Sequence, residues 1–225
     1  MYNSIEIQTK NSFLRKVFLQ MFLGLLVTGA VSWSVVQSSQ MISFVGNYMT
    51  FIIIAELILV LALNFGINKI SGGTAKVLFI TYSAMNGLVL SIVMLIYNPI
   101  SILYVLAVTS LIFVVMTIYG LRTKEDLSAY DGFFKGGLIT LVVVSLLNIF
   151  LKISILDWFI SVCAVVLFTA LIAYDINRIV KIFQLDNMSE EDYNKFSTIG
   201  ALMLYLDFVN LFLNLLRLFG GKRDN

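Results

Sequence analysis

Seven apolar stretches, each close to the length of a membrane crossing, restrict what this chain can fold into more than any other feature. They are VFLQMFLGLLVTGAVSWSVV (17–36), YMTFIIIAELILVLALNFGI (48–67), VLFITYSAMNGLVLSIVMLIY (77–97) and ISILYVLAVTSLIFVVMTIYG (100–120). The remaining three are FKGGLITLVVVSLLNIFL (134–151), ILDWFISVCAVVLFTALIAYDINRIV (155–180) and ALMLYLDFVNLFLNLLRLFG (201–220). About 20 apolar residues carry a helix across a bilayer. With 60% of its 225 residues hydrophobic and 12% charged, the chain has more apolar surface than a soluble domain of this size hides, so lipid is its solvent. Barrel-type alternation is absent, which leaves helices. The expected fold class is an all-α polytopic membrane protein with seven transmembrane helices.

The connections leave no room for a separate soluble domain: QSSQMISFVGN (37–47), SGGTA (71–75), the Asn98-Pro99 turn, RTKEDLSAYDG (122–132), KIS (152–154) and FQLDNMSEEDYNK (183–195). The expected organisation is a polar N-terminal tail (1–16), a transmembrane domain (17–220) and a polar C-terminal tail (221–225). No small-residue cleavage pattern follows the first apolar run, which therefore reads as a retained span. With the N-terminus in the cytoplasm, eleven basic residues fall inside and four (Lys152, Arg217, Lys222, Arg223) outside. That imbalance supports a cytoplasmic N-terminus and an external C-terminus. The basic C-terminal tail argues the other way, and a re-entrant last segment with the tail inside is the alternative. A bacterial cytoplasmic membrane is the expected location, an organellar membrane the second choice. In the third span Ser83, Gly87 and Ser91 recur every four residues, a small-residue stripe for close helix packing.

Histidine is absent and Cys163 is alone. A disulfide framework and a transition-metal site are therefore not expected, and Cys163 reads as core. Carboxylates are left as the candidates for titration chemistry. Most of the acids belong to tails or loops, but Glu56, Asp175 and Asp207 fall within apolar runs. A charged side chain at mid-membrane costs about 2.5–3.5 kcal/mol on insertion scales, so such a residue is a functional candidate by default. The bland alternative is a hydrogen-bonded group that only holds helices together. Asp207, Asn210, Asn214 and Arg217 follow i, i+3, i+7, i+10 and share one polar face. Arg178 lies one turn from Asp175 on its face, with Asn177 nearby. The economical arrangement turns helices six and seven toward each other with the two aspartates close. Such a pair has two uses: it shares a proton as a latch, or loses it and offers oxygen ligands to a divalent cation such as calcium.

Four stretches then become recognisable: TYSAMNGLVLSIVMLIY (81–97), MTIYGLRTKEDLS (116–128), ALIAYDINRI (170–179) and LYLDFVNLFLNLLRLFG (204–220). In this order they resemble the transmembrane Bax-inhibitor-motif family, over essentially the whole chain from about residue 15. The resemblance implies six helices surrounding a central seventh. It also implies a pH-sensitive calcium leak controlled by two aspartates, here Asp175 in AYDIN and Asp207 in LYLDF, which are bridged when protonated. Opening is associated in the family with movement of the second helix, where Glu56 matches an acidic position of some bacterial relatives. Some of those relatives carry an arginine cluster at the end of that helix to hold the sixth-helix aspartate. This chain reads NFGINKI (64–70), with Lys69 the only base, so Arg178 or Lys69 would have to substitute.

The expected function is a calcium leak channel, a non-enzyme needing no cofactor. Asp175 and Asp207 form its gating pair and calcium-contacting groups; Glu56, Arg178, Asn210, Asn214 and Arg217 line or support the path. The alternative is a non-channel membrane regulator that binds a membrane protease or acts in a stress or cell-death pathway, with residues 1–16 as its handle. A cation/proton exchanger is a variant of the channel. An intramembrane aspartyl protease is disfavoured because YLD replaces the Gly-x-Gly-Asp of that chemistry and no Pro-Ala-Leu element follows.

Overall fold

In the computed structural model the chain is described over residues 2–66, 70–183 and 189–223, with side chains over 11–63, 70–181 and 189–223. The described residues form seven long helices: α1 (Tyr2–Val36), α2 (Ser39–Gly66), α3 (Gly72–Ile96), α4 (Pro99–Arg122), α5 (Asp131–Leu151), α6 (Ser154–Phe183) and α7 (Glu190–Phe219). A 3-10 turn, Leu127–Tyr130, leads into α5. Each of the seven contains a stretch long and apolar enough to cross a membrane. The chain is a multi-pass integral membrane protein.

Local chemistry marks the ends. Ser71 caps α3 through Thr74 N–H, and Asn98 caps α4 through Ile100 N–H with Pro99 behind it, where the missing proline N–H costs nothing. The helices exceed the apolar runs. Residues 39–47, expected in a connection, extend α2, and residues 2–16, expected as a tail, belong to α1. Polar residues end an apolar run without ending a helix, because backbone hydrogen bonding continues wherever no proline or cap interrupts it. Phe13, Leu14 and Val17 are buried, and Phe13 packs edge-on against Tyr193 near the start of α7.

The final helix is continuous over its 30 residues. A re-entrant segment needs a break in mid-membrane, and Glu190–Phe219 has none. Over its 18-residue apolar window 61% of residues are buried, against 11–33% in the windows of the other six.

The chain divides into two compact units. The first comprises residues 1–97, 182–205 and 223–225. Its core is the contact of α1 with α3, made by the small-residue stripe: Ser83, Gly87 and Ser91 are all buried. A Cβ on Gly87 would stand 2.8 Å from the Thr28 carbonyl oxygen, so only glycine permits this approach. Thr28 donates to Ser83 O at 2.8 Å and Ser32 to Gly87 O at 2.8 Å. Packing therefore accounts for the stripe.

The second unit comprises residues 98–181 and 206–222. Here α4 meets α6 at Gly120, where an added Cβ would lie 2.6 Å from the Ala173 carbonyl oxygen. Leu127, Phe134, Leu167, Leu171, Ala173 and Tyr174 form its apolar core. After α7, Gly221 accepts from Asn98 N–H at 2.9 Å, tying the end of the chain to the start of α4. Cys163, expected in the core, is exposed, on the same side of α6 as Phe159 and Val166. Helical register, not its sulfur, sends it outward.

Candidate functional site

The second unit contains the most heavily buried acids among the described residues. Asp175 lies within α6, flanked by Tyr174 and Ile176; Asp207 lies within α7, flanked by Leu206 and Phe208. Their residues retain 7% and 5% of their surface exposed. The two carboxyls are close enough to interact with each other. Among the described residues nothing donates to Asp207 Oδ2, and no third acidic, cysteine or histidine residue joins the pair as a metal-holding group.

Neighbouring contacts set the rotation of both helices. Tyr174 donates to Asp131 Oδ1 on α5 at 2.6 Å, and Asp131 pairs with Lys135 at 2.6 Å. Tyr174 also packs on Phe134, with ring centroids 4.8 Å apart. One residue further on is about 100° around a helix, which turns Asp175 away from α5. On α7, Phe208 packs edge-on against Phe113 of α4 at 5.7 Å. The aspartates thus point where the flanking aromatic residues do not.

The other expected site residues divide by position. Asn210 and Asn214 are half-buried, and each donates to its own helix backbone, at Leu206 O and Asn210 O, both at 2.8 Å. Arg217 is exposed, ten residues and therefore about 15 Å along the axis from Asp207. It lines a cavity of about 640 Å³ with Lys152 and Asp157. The polar face foreseen from the spacing is graded from a buried acid to an exposed base. Arg178 is also exposed, and the ion pairs among the described residues join Lys135 to Asp131, Lys181 to Asp126 and Lys195 to Glu191. Arg178 therefore holds Asp175 in no ion pair there. Asn177, beside it, is buried with Oδ1 unpartnered. Lys69, the other expected substitute, lies outside the described residues.

Glu56 belongs to the first unit. It is half-buried on α2 with Oε1 lacking a partner, and it is near enough to Tyr82 and Tyr205 to interact with both electrostatically. Sequence reasoning missed Tyr205. This fully buried phenol is hydrogen-bonded to Thr28 at 2.6 Å and accepts from Asn86 at 2.9 Å, and both Phe79 and Tyr82 pack edge-on against it. Its signal was available: a tyrosine in an oily helix needs a partner for its hydroxyl, and Thr28 and Asn86 stood unclaimed in other apolar runs.

The fold defines a polytopic helical membrane protein, with two interacting carboxyls buried on its last two helices. The sequence profile described as "Inhibitor of apoptosis-promoting Bax1" matches residues 10–224, and the chain belongs to that family. It is 38% identical over 216 residues to the inner membrane protein YbhL of Escherichia coli, covering 94% of this chain and 92% of that protein. It is 37% identical over 223 residues to an uncharacterised protein of Borreliella burgdorferi, covering 98% and 96% respectively. An uncharacterised protein of Rickettsia prowazekii is 36% identical over 214 residues, covering 94% and 90%.

Proposed function

We propose that this protein is a pH-sensitive calcium leak channel of a bacterial cytoplasmic membrane, gated by the protonation state of Asp175 and Asp207. The observation that carries the reading is that two buried carboxyls, one on α6 and one on α7, lie close enough to interact. With one proton shared, the pair is a neutral clasp between the helices. With both ionised, like charges at low dielectric repel, and the pair presents hard oxygen ligands to a divalent cation. Calcium takes six to eight oxygen ligands, so two carboxyls suit a passing ion, with water completing its shell, better than a stored one. The similarity to an inner membrane protein supports the location, and the excess of basic residues in alternate connections supports a cytoplasmic N-terminus. No bond is made or broken, so the protein acts as a non-enzyme.

The test is calcium entry into dye-loaded liposomes as a function of pH. Flux should fall as the pH drops and the pair takes up its proton. Asp175→Asn and Asp207→Asn should each abolish that pH dependence. Flux in both variants that follows the wild-type profile overturns the proposal.

A further inference from the structure

The cavity at Arg217 stands apart from the carboxyl pair and has its own chemistry. It occupies about 640 Å³ where α5 ends and α6 begins, with Ser145, Asn148, Ile149, Lys152, Asp157 and Arg217 among its lining residues. Two cations and one acid make it net positive. The acid is engaged: Asn148 Nδ2 donates to Asp157 Oδ1 at 2.6 Å, while Ile153 N–H donates to Asn148 Oδ1 at 3.1 Å. That network shapes the turn. Neither Lys152 nor Arg217 is within ion-pair distance of a described carboxylate. Lys152 caps α5 in the left-handed conformation, with φ of 52°, where helices ordinarily place glycine. The chain keeps a cationic side chain at a backbone position that disfavours one.

The surroundings say what kind of guest arrives. Ile149 lines the cavity yet is 64% exposed, and beside it Phe150, Ile155 and Trp158 are 83%, 75% and 56% exposed. Such a surface is stable only against hydrocarbon. The cavity therefore combines an exposed apolar margin with two cations outside ion-pair distance of a described carboxylate and a neutral hydroxyl at Ser145. A divalent cation is the wrong occupant, because Lys152 and Arg217 repel it. A phosphate diester with acyl chains fits both halves: oxygens for the cations and the Ser145 hydroxyl, hydrocarbon for the exposed apolar side chains.

We propose that this cavity is a binding site for the headgroup of an anionic phospholipid, with Lys152 and Arg217 as its phosphate ligands. Trp158 offers a reporter. The chain has two tryptophans, so Trp33→Phe leaves Trp158 as the only indole. The full chain in that background is reconstituted with brominated phosphatidylglycerol or brominated phosphatidylcholine, and quenching of Trp158 is titrated. Phosphatidylglycerol should be preferred roughly 25-fold, since each of the two cations near an anionic lipid is worth about a fivefold gain. Lys152→Gln with Arg217→Gln should erase the preference, each single variant should lose part of it, and the charge-keeping Lys152→Arg with Arg217→Lys should retain it. Equal quenching by the two lipids overturns the proposal, as does a preference that survives the double glutamine variant. Relief of quenching by an equal concentration of inorganic phosphate would identify a soluble anion as the guest and overturn the lipid assignment.

Discussion

The Tyr174 hydroxyl donates to Asp131 Oδ1 at 2.6 Å, and this bond fixes the rotation of α6 one residue before Asp175. Tyr174→Phe removes the donor and leaves Asp131 with Lys135 alone. Because the site is half-buried, the expected loss is about 1 kcal/mol, read as a lowered thermal midpoint in detergent. Calcium flux should keep its pH dependence, since both carboxyls remain.

The shape of the carboxyl pair makes asparagine and alanine different tests. In Asp207→Asn the amide donates to Asp175 with no proton required, so the fold should hold. In Asp207→Ala, Asp175 is left buried without its partner, and a loss of about 1–3 kcal/mol is expected. Comparing the thermal midpoints of the two variants checks this. Equal destabilisation by asparagine and alanine would contradict direct pairing.

At Gly120 a methyl group would press on the Ala173 carbonyl oxygen at 2.6 Å. Backbone cannot swing aside as a side-chain tip can, so Gly120→Ala should cost about 1–3 kcal/mol. Gly136→Ala, on α5 with nothing within 4 Å of the new Cβ, is the control and should be neutral or slightly stabilising. Thermal unfolding of both variants gives the comparison.

Tyr205→Phe deletes the partner of Asn86 and one of the partners of Thr28 in the first unit. Thr28 still bonds Gly24 O and Ser83 O, whereas Asn86 Nδ2 is stranded. The expected cost of about 1–3 kcal/mol should be largely recovered in Tyr205→Phe with Asn86→Leu, which removes the orphaned amide. A double-mutant cycle on thermal stability measures the coupling.

Outside the spans, the Lys181 ammonium holds the Asp126 carboxyl down to about 2, helped by Ser128 through its hydroxyl and backbone N–H. A carboxyl depressed in the folded state contributes stability above its unfolded pKa and loses it as the pH falls through the folded one. The difference in thermal midpoint between wild type and Asp126→Asn should therefore be small, constant above about pH 4, and vanish toward pH 2. Added salt should shrink it, because the pair faces water.

The amino-acid sequence by itself determined the solvent, the number of crossings and the helical class. Those follow from the lengths of seven apolar runs, and hydrocarbon tolerates no unpaired backbone. It also singled out Asp175 and Asp207, because a carboxyl in such a run is costly wherever it points. Helix ends were less legible, as α1 and α2 show, since polar residues do not stop a helix. The tertiary structure decided what each polar side chain meets. Spacing placed Asn210, Asn214 and Arg217 on one face with Asp207, yet the asparagines turn to their own backbone and Arg217 ends in a separate cavity. Arg178 stood one turn from Asp175 in sequence and proved exposed. Tyr205, unremarked among oily neighbours, became a hub because α1 and α3 bring Thr28 and Asn86 to it. Periodicity tells which residues share a face; only packing tells whether that face meets lipid, water or another carboxyl.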